Sequence, residues 1–235
     1  MRIIPVADNL LLRAARRVNS RTPLNHVVFQ AGEQLWTSGE QISHVLFPVR
    51  GVISLQVLAA DGKRVDIGLL GREGCIDVTS FMGAKETRVN ALGLTDGEAL
   101  AMRSDLFQKH LTITPFRKAL EQYFCMLLVM FNQIAVCGRI HAIEKTLINR
   151  LLLMQDRTGT DSFQMTQDFL SRVLGVRKAT VSRAAAGLKR LGAISYDRQG
   201  RIRIVDRKQL ERQACSCYRA IKKEADLLIK ALGGL

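Results

Sequence analysis

The chain has 235 residues, 47% of them hydrophobic, and a formal net charge of +14. That length suits one large or two small domains, the apolar fraction can bury a core, and nothing in the chain is low-complexity. The charge is uneven: residues 1–138 hold 15 Lys and Arg against 12 Asp and Glu, while residues 139–235 hold 20 against 9. The basic half is the one suited to neutralising phosphates.

Met1–Asn9 lacks an apolar core followed by a small-residue cleavage site, so no signal peptide is expected. Leu10–Val18 reads as a short amphipathic helix. From Asn25 to about Arg103, short β-prone runs alternate with glycine-bearing turns. The runs are Val27–Phe29, Gln34–Trp36, His44–Val49, Val52–Leu58, Arg64–Leu70, Val89–Leu94 and Ala99–Met102. That spacing predicts an antiparallel sandwich or jelly roll. Asp61-Gly62 is its strongest hairpin signal. A jelly roll also suits a metalloenzyme of the cupin type, which needs closely spaced histidines. The four here, at 26, 44, 110 and 141, are far apart. With no nucleophile–base pair, phosphate-binding loop or zinc spacing, neither an enzyme nor a metal site is expected.

Thr114–Asp156 predicts one continuous helix, with Pro115 suited to its start. Leu120, Phe124, Leu127, Phe131, Ile134, Gly138 and His141 recur at alternating spacings of four and three, the seam of a parallel dimer. The longest apolar run, Tyr123–Cys137, is shorter than the roughly 20 residues that span a bilayer. Around Lys145, Ile143, Leu147 and Leu151–Met154 open a further domain. The expected organisation is α+β: an N-terminal antiparallel β-roll over residues 1–113, a dimerisation helix over 114–139 and a DNA-binding domain over 140–235.

That last domain holds the most informative stretch, Met165–Arg183. Thr166 is placed to cap a helix by accepting from the N–H of Phe169. Gly175 ends that helix, and Arg177 opens a second one running to about Arg190. Val181, Ala184, Ala185 and Leu188 form its buried stripe. Arg177, Lys178, Thr180, Ser182 and Arg183 lie on or beside the other face, and these residue types contact guanine edges or phosphates. Ile194–Val205 then reads as two strands around Asp197–Gly200, with Arg198, Arg201 and Arg203 suited to the phosphate backbone. A helix–turn–helix followed by a basic hairpin is a winged helix. The cysteines (75, 125, 137, 215 and 217) are odd in number and lack a CxxC pair, and Cys215 and Cys217 read as small, partly buried helix residues.

This order resembles the Crp/Fnr family of bacterial transcription regulators. The resemblance rests on Leu174–Arg183, Leu188, Leu191–Ile194 and Gly200–Ile204, with Gly32-Glu33, Ser38-Gly39-Glu40, Gly51 and Asp61-Gly62-Lys63 fitting the family's β-roll. It implies that Lys178 and Arg183 read bases, and that Arg177, Thr180 and Ser182 meet phosphate or neighbouring backbone. Thr166, Gln167 and Arg201 complete the expected DNA contacts. Ala179 replaces the family's base-reading glutamate, so a different half-site is implied. The partners implied are double-stranded DNA, a second copy of the chain and RNA polymerase, in the cytoplasm and away from any membrane. Thr79, Arg88 and Val89 fall in the family's phosphate-binding cassette. Val89 has no hydroxyl for a phosphate, a loss of roughly 1.5–3 kcal/mol per charged hydrogen bond, so cyclic AMP is not the expected effector. With no cysteine before Cys75, the family's N-terminal iron–sulfur sensor is not expected either, and no cofactor is assigned. Two alternatives stay open: a small-ligand module that touches nucleic acid only secondarily, and a thiol switch through Cys215 and Cys217.

Overall fold

A computed structural model describes residues 9–16, 22–60, 62–197 and 199–233, with the side chains of Ala15 and Arg16 left aside. The expectations for residues 1–8, for Val18 as a helix end, for Asp61 in the hairpin turn and for Arg198 in the wing lie outside the described residues.

Helix α1 (Leu10–Arg16) starts where Asn9 is buried. The Asn9 amide donates to the carbonyls of Pro48 and Gly74, both at 2.8 Å, and its oxygen accepts from the N–H of Leu11 and Leu12. The β-roll follows: β1 (Asn25–Phe29), β2 (Gln34–Trp36), β3 (His44–Arg50), β4 (Ile53–Leu58), β5 (Arg64–Leu70), β6 (Asn90–Gly93) and β7 (Gly97–Arg103). Two antiparallel sheets, ordered β1-β7-β3 and β2-β6-β4-β5, bury Phe29, Val45, Phe47, Ile53, Leu69 and Leu100 in a common core. Each strand overlaps its predicted run. β-branched and aromatic residues alternating with turn glycines leave little other choice.

After α2 (Ser104–His110) comes α3 (Thr114–Ile140), then α4 (Ile143–Thr158). The single predicted helix is thus two. His141 and Ala142 are extended (ψ 146° and 152°). His141 leaves the helix with its Nδ1 3.7 Å from Cys217 Sγ, a partner that sequence spacing does not show. Of the predicted seam, Leu120 and Leu127 are buried, Phe124, Phe131, Ile134 and His141 are half-buried, and Gly138 is exposed. Phe116, Leu120, Tyr123, Leu127 and Met130 follow the four–three spacing and are buried within the chain's own core. Tyr123 Oη donates to the Cys75 carbonyl at 2.9 Å. The large apolar residues left exposed on α3 are Leu128, Val136 and Ile140, the last at 70%. Helix α3 has two apolar faces, and periodicity alone does not say which one meets the β-roll. Helix α3 is also long and apolar enough to cross a bilayer, since it extends well beyond the apolar run Tyr123–Cys137. Its inward face is already packed.

The second half contains β8 (Ser162–Gln164), α5 (Gln167–Leu174), α6 (Lys178–Arg190), β9 (Ile194–Tyr196), β10 (Arg201–Ile204), α7 (Arg207–Gln213) and α8 (Ser216–Ala231). The strands form a sheet ordered β8-β10-β9, so the wing has a third strand beyond the two predicted. Helix α8 folds back along α3. Two buried ion pairs tie α4 to the β-roll: Arg150 to Asp66 at 2.8 Å and Arg157 to Glu73 at 2.9 Å. Burial pushes the Asp66 carboxyl up and the Arg150 charge pulls it back, with a net rise.

Candidate nucleic-acid interface

Thr166 caps α5 as its position suggests, with Oγ1 accepting from the Phe169 N–H at 3.1 Å. Gly175 closes α5 in the left-handed region (φ 65°), which costs glycine nothing. Arg177 is the extended residue before α6 rather than its first turn, so the helix begins at Lys178. Val181, Ala184, Ala185 and Leu188 are buried, as predicted. The opposite face exposes Lys178, Ala179, Arg183 and Ala186, with Thr180 and Ser182 half-buried at its edges.

The wing is stitched to the start of α5. Asp197 Oδ1 accepts from the N–H groups of Gln199 (2.9 Å) and Arg201 (2.8 Å), shaping the turn. Gly200 has φ 80°, and a Cβ there would come within 2.8 Å of Thr166 Cγ2. The Met165 N–H donates to the Gly200 carbonyl at 3.2 Å. Burial alternates along β10, which turns Arg201 and Arg203 outward. The wing turn thus lies beside the exposed Thr166, and the Asp168–Lys178 pair brings the start of α5, with the half-buried Gln167, to the start of α6. Acids moderate this surface: Asp168 lies 3.3 Å from Arg172 and 3.8 Å from Lys178, and Asp161 lies 3.4 Å from Arg203. These exposed pairs are weak and exchange readily for phosphate.

The expected effector residues sit apart from this surface. A 3-10 turn (Val78–Met82) carries Thr79, half-buried, whose carbonyl accepts from the Ala84 N–H. Arg88 is exposed, and Val89 is half-buried with its carbonyl taken by the Thr87 hydroxyl at 3.1 Å. Asp77 opens the turn in the left-handed region (φ 63°), is 6% exposed, and neither of its carboxylate oxygens has a hydrogen-bond partner. Burial pushes its pKa up to about 6; the nearby Thr87 hydroxyl opposes the rise and the Glu40 carboxylate adds to it. Sequence spacing does not mark Asp77. A non-glycine residue held at positive φ becomes visible only with the backbone.

A second group escapes sequence reasoning altogether. No metal-ligand spacing is expected, yet Cys137, His141, Cys215 and Cys217 converge, with their four ligating atoms all within 4.8 Å of one another. The cysteines are buried. The Asn149 amide donates to Cys215 Sγ at 3.0 Å and to Cys137 Sγ at 3.4 Å. Burial raises Cys137, and it pushes Cys217 up to about 12 with the neighbouring sulfurs adding. Cys215 goes the other way: burial opposes, but the Asn149 amide and the backbone N–H groups of Cys217 and Tyr218 hold it below the usual thiol range. The available signal is a Cys and a His four residues apart on a predicted helix. It gains meaning only when α8 folds back to supply the CxC pair.

Comparison with known proteins bears on both halves. Residues 26–112 match the family model of a cyclic nucleotide-binding domain, and residues 147–213 match that of a Crp-like helix-turn-helix domain. Over 198 residues the chain is 26% identical to the transcriptional activator protein FnrL of Cereibacter sphaeroides, covering 79% of each. Among solved structures it is similar to FixK2 from Bradyrhizobium japonicum, with TM-score 0.67 and 19% identity over 82% of this chain and 98% of that one. It is also similar to a CRP-family transcriptional regulator from Thermus thermophilus, with TM-score 0.66 and 15% identity over 80% and 96%.

Proposed function

The chain belongs to the Crp/Fnr family of transcriptional regulators, which are not enzymes, and from that premise we propose that it binds a pseudo-palindromic DNA site as a homodimer. The observation that carries this reading is the division of α6 into a buried aliphatic face and an outward face bearing Lys178, Ser182 and Arg183. Such a helix fits the major groove. Lys178 and Arg183 pair with guanine O6 and N7. Arg177, Thr180 and Ser182 hold phosphate, joined by Thr166 and Gln167 at the start of α5 and by Arg201 on the wing. Ala179 contributes only a methyl group, so the half-site is set by its two cationic neighbours.

The exposed apolar residues of α3 support the dimer. Leu128, Val136 and Ile140 lie on the face that the β-roll leaves uncovered, and a second copy of α3 would cover them. Two recognition helices then meet two half-sites about one helical turn apart. Binding is governed by an effector at the β-roll, near Thr79, Arg88 and Val89. Cyclic AMP is disfavoured: Val89 offers no hydroxyl, and the unpaired Asp77 carboxylate on the same segment is hostile to a phosphate. The protein works with chromosomal DNA in the cytoplasm, with RNA polymerase as its expected partner at promoters.

Selection from a randomised duplex pool tests the reading. It should return one two-fold-symmetric motif; recovery without any enriched motif would sink it.

A further inference from the structure

Four side chains outside the DNA-facing surface meet where α3 gives way to α4. Cys137 lies in the last turn of α3, and His141 is the residue that follows the helix. Cys215 is the N-cap residue of α8, and Cys217 lies in its first turn. The fold brings the two pairs together. Cys137 Sγ and Cys215 Sγ are 3.8 Å apart, and Cys217 Sγ is 3.7 Å from His141 Nδ1.

These distances have a chemical meaning. Around a tetrahedral zinc ion, with Zn–S of about 2.3 Å and Zn–N of about 2.0 Å, neighbouring sulfurs lie about 3.8 Å apart and sulfur and nitrogen about 3.5 Å apart. The Cys137–Cys215 and Cys217–His141 separations fit two edges of that polyhedron. A disulfide would join two of the sulfurs at about 2.05 Å and leave Cys217 and His141 without a role. A polynuclear iron–sulfur cluster spreads its ligands over several irons and needs a wider cage. All four atoms here lie within 4.8 Å of one another, near enough for small side-chain rotations to close them on one ion.

The surroundings suit bound thiolates. The Asn149 amide donates to two of the sulfurs, as groups around metal thiolates do. Asn149 is 5% exposed, and its own carbonyl oxygen has no partner. A cavity of about 20 Å³ opens beside Cys137, Cys217 and Asn149.

We propose that Cys137, His141, Cys215 and Cys217 bind one divalent thiophilic ion, zinc by preference, in a closed tetrahedral site that locks α8 to the joint between α3 and α4. On binding, each of the three cysteines releases its proton to solvent and His141 coordinates as the neutral imidazole through Nδ1, so the site carries a net charge of −1. Nothing is oxidised or reduced. With three sulfurs and one nitrogen filling a tetrahedron, no open position is left for a substrate, which marks a structural rather than a catalytic site.

The test uses the full chain, purified with reductant and without added metal. Metal analysis should find one zinc per chain. After chelation, cobalt titration should produce the intense visible bands and the thiolate charge-transfer absorption of tetrahedral cobalt, saturating at one equivalent and reversed by zinc. Cys137→Ser and Cys217→Ser should each weaken cobalt binding and lower the charge-transfer absorption, whereas Cys125→Ser should leave both unchanged. Asn149→Ala retains every ligand and should weaken metal binding about 10–100-fold. Where a ligand variant fails to fold, the cobalt spectrum of the unaltered chain decides alone. A six-coordinate cobalt spectrum, more than one iron per chain, or a Cys137–Cys215 disulfide in the reduced preparation would each overturn the proposal.

Discussion

Arg183 is exposed on α6, one face away from the buried Ala184 and Ala185. If it pairs with a guanine, Arg183→Ala should cost about 1–3 kcal/mol in site affinity and relax one base position. A titration of single-base site variants would show this as the loss of one discrimination. Asp77 makes a different kind of prediction. Its pKa is raised from 3.8 to about 6, so the folded chain holds a proton there that the unfolded chain has released. Stability should therefore fall as pH rises from about 4 to 6 and change no further above that. Asp77→Asn keeps the left-handed backbone accessible and removes the buried charge, so it should stabilise the fold by about 1–3 kcal/mol at pH 7. Denaturant melts of both proteins from pH 4 to 7 check it, and parallel curves would contradict it.

Among the elements, the helix–turn–helix is the most legible in sequence because its signals are local. Thr166 three residues before Phe169, Gly175 at the helix end and a 3.6-residue apolar stripe each act within one turn. The β-strands are legible for the same reason. Helix α3 is legible as a helix but not in its facing. Leu120 and Leu127 read as a dimer seam, yet they are buried under the β-roll, because both faces of α3 are apolar. The break at His141 and the gathering of the cysteines depend on α8 returning from about 75 residues away in sequence, which no local pattern records. The Arg150–Asp66 pair is likewise a long-range contact, joining α4 to β5. Breaking a buried pair from one side leaves a bare charge, so Arg150→Ala should destabilise the protein by about 3–5 kcal/mol. Thermal melts would register it, and an unchanged midpoint would mean that the pair contributes nothing.

At the scale of the whole molecule, a β-roll, a long helix and a winged helix are joined into one core, with the excess positive charge concentrated after residue 138. Glu at both Leu128 and Val136 should convert a dimer into a monomer, read by light scattering, and should weaken binding to a full site far more than binding to a half-site. Two recognition helices reading two half-sites together should distinguish the selected site from the same duplex with both half-sites scrambled, compared at one fixed salt concentration. A preference of about 10³-fold or more is predicted. Equal affinity for the two duplexes would mean that neither half-site is read.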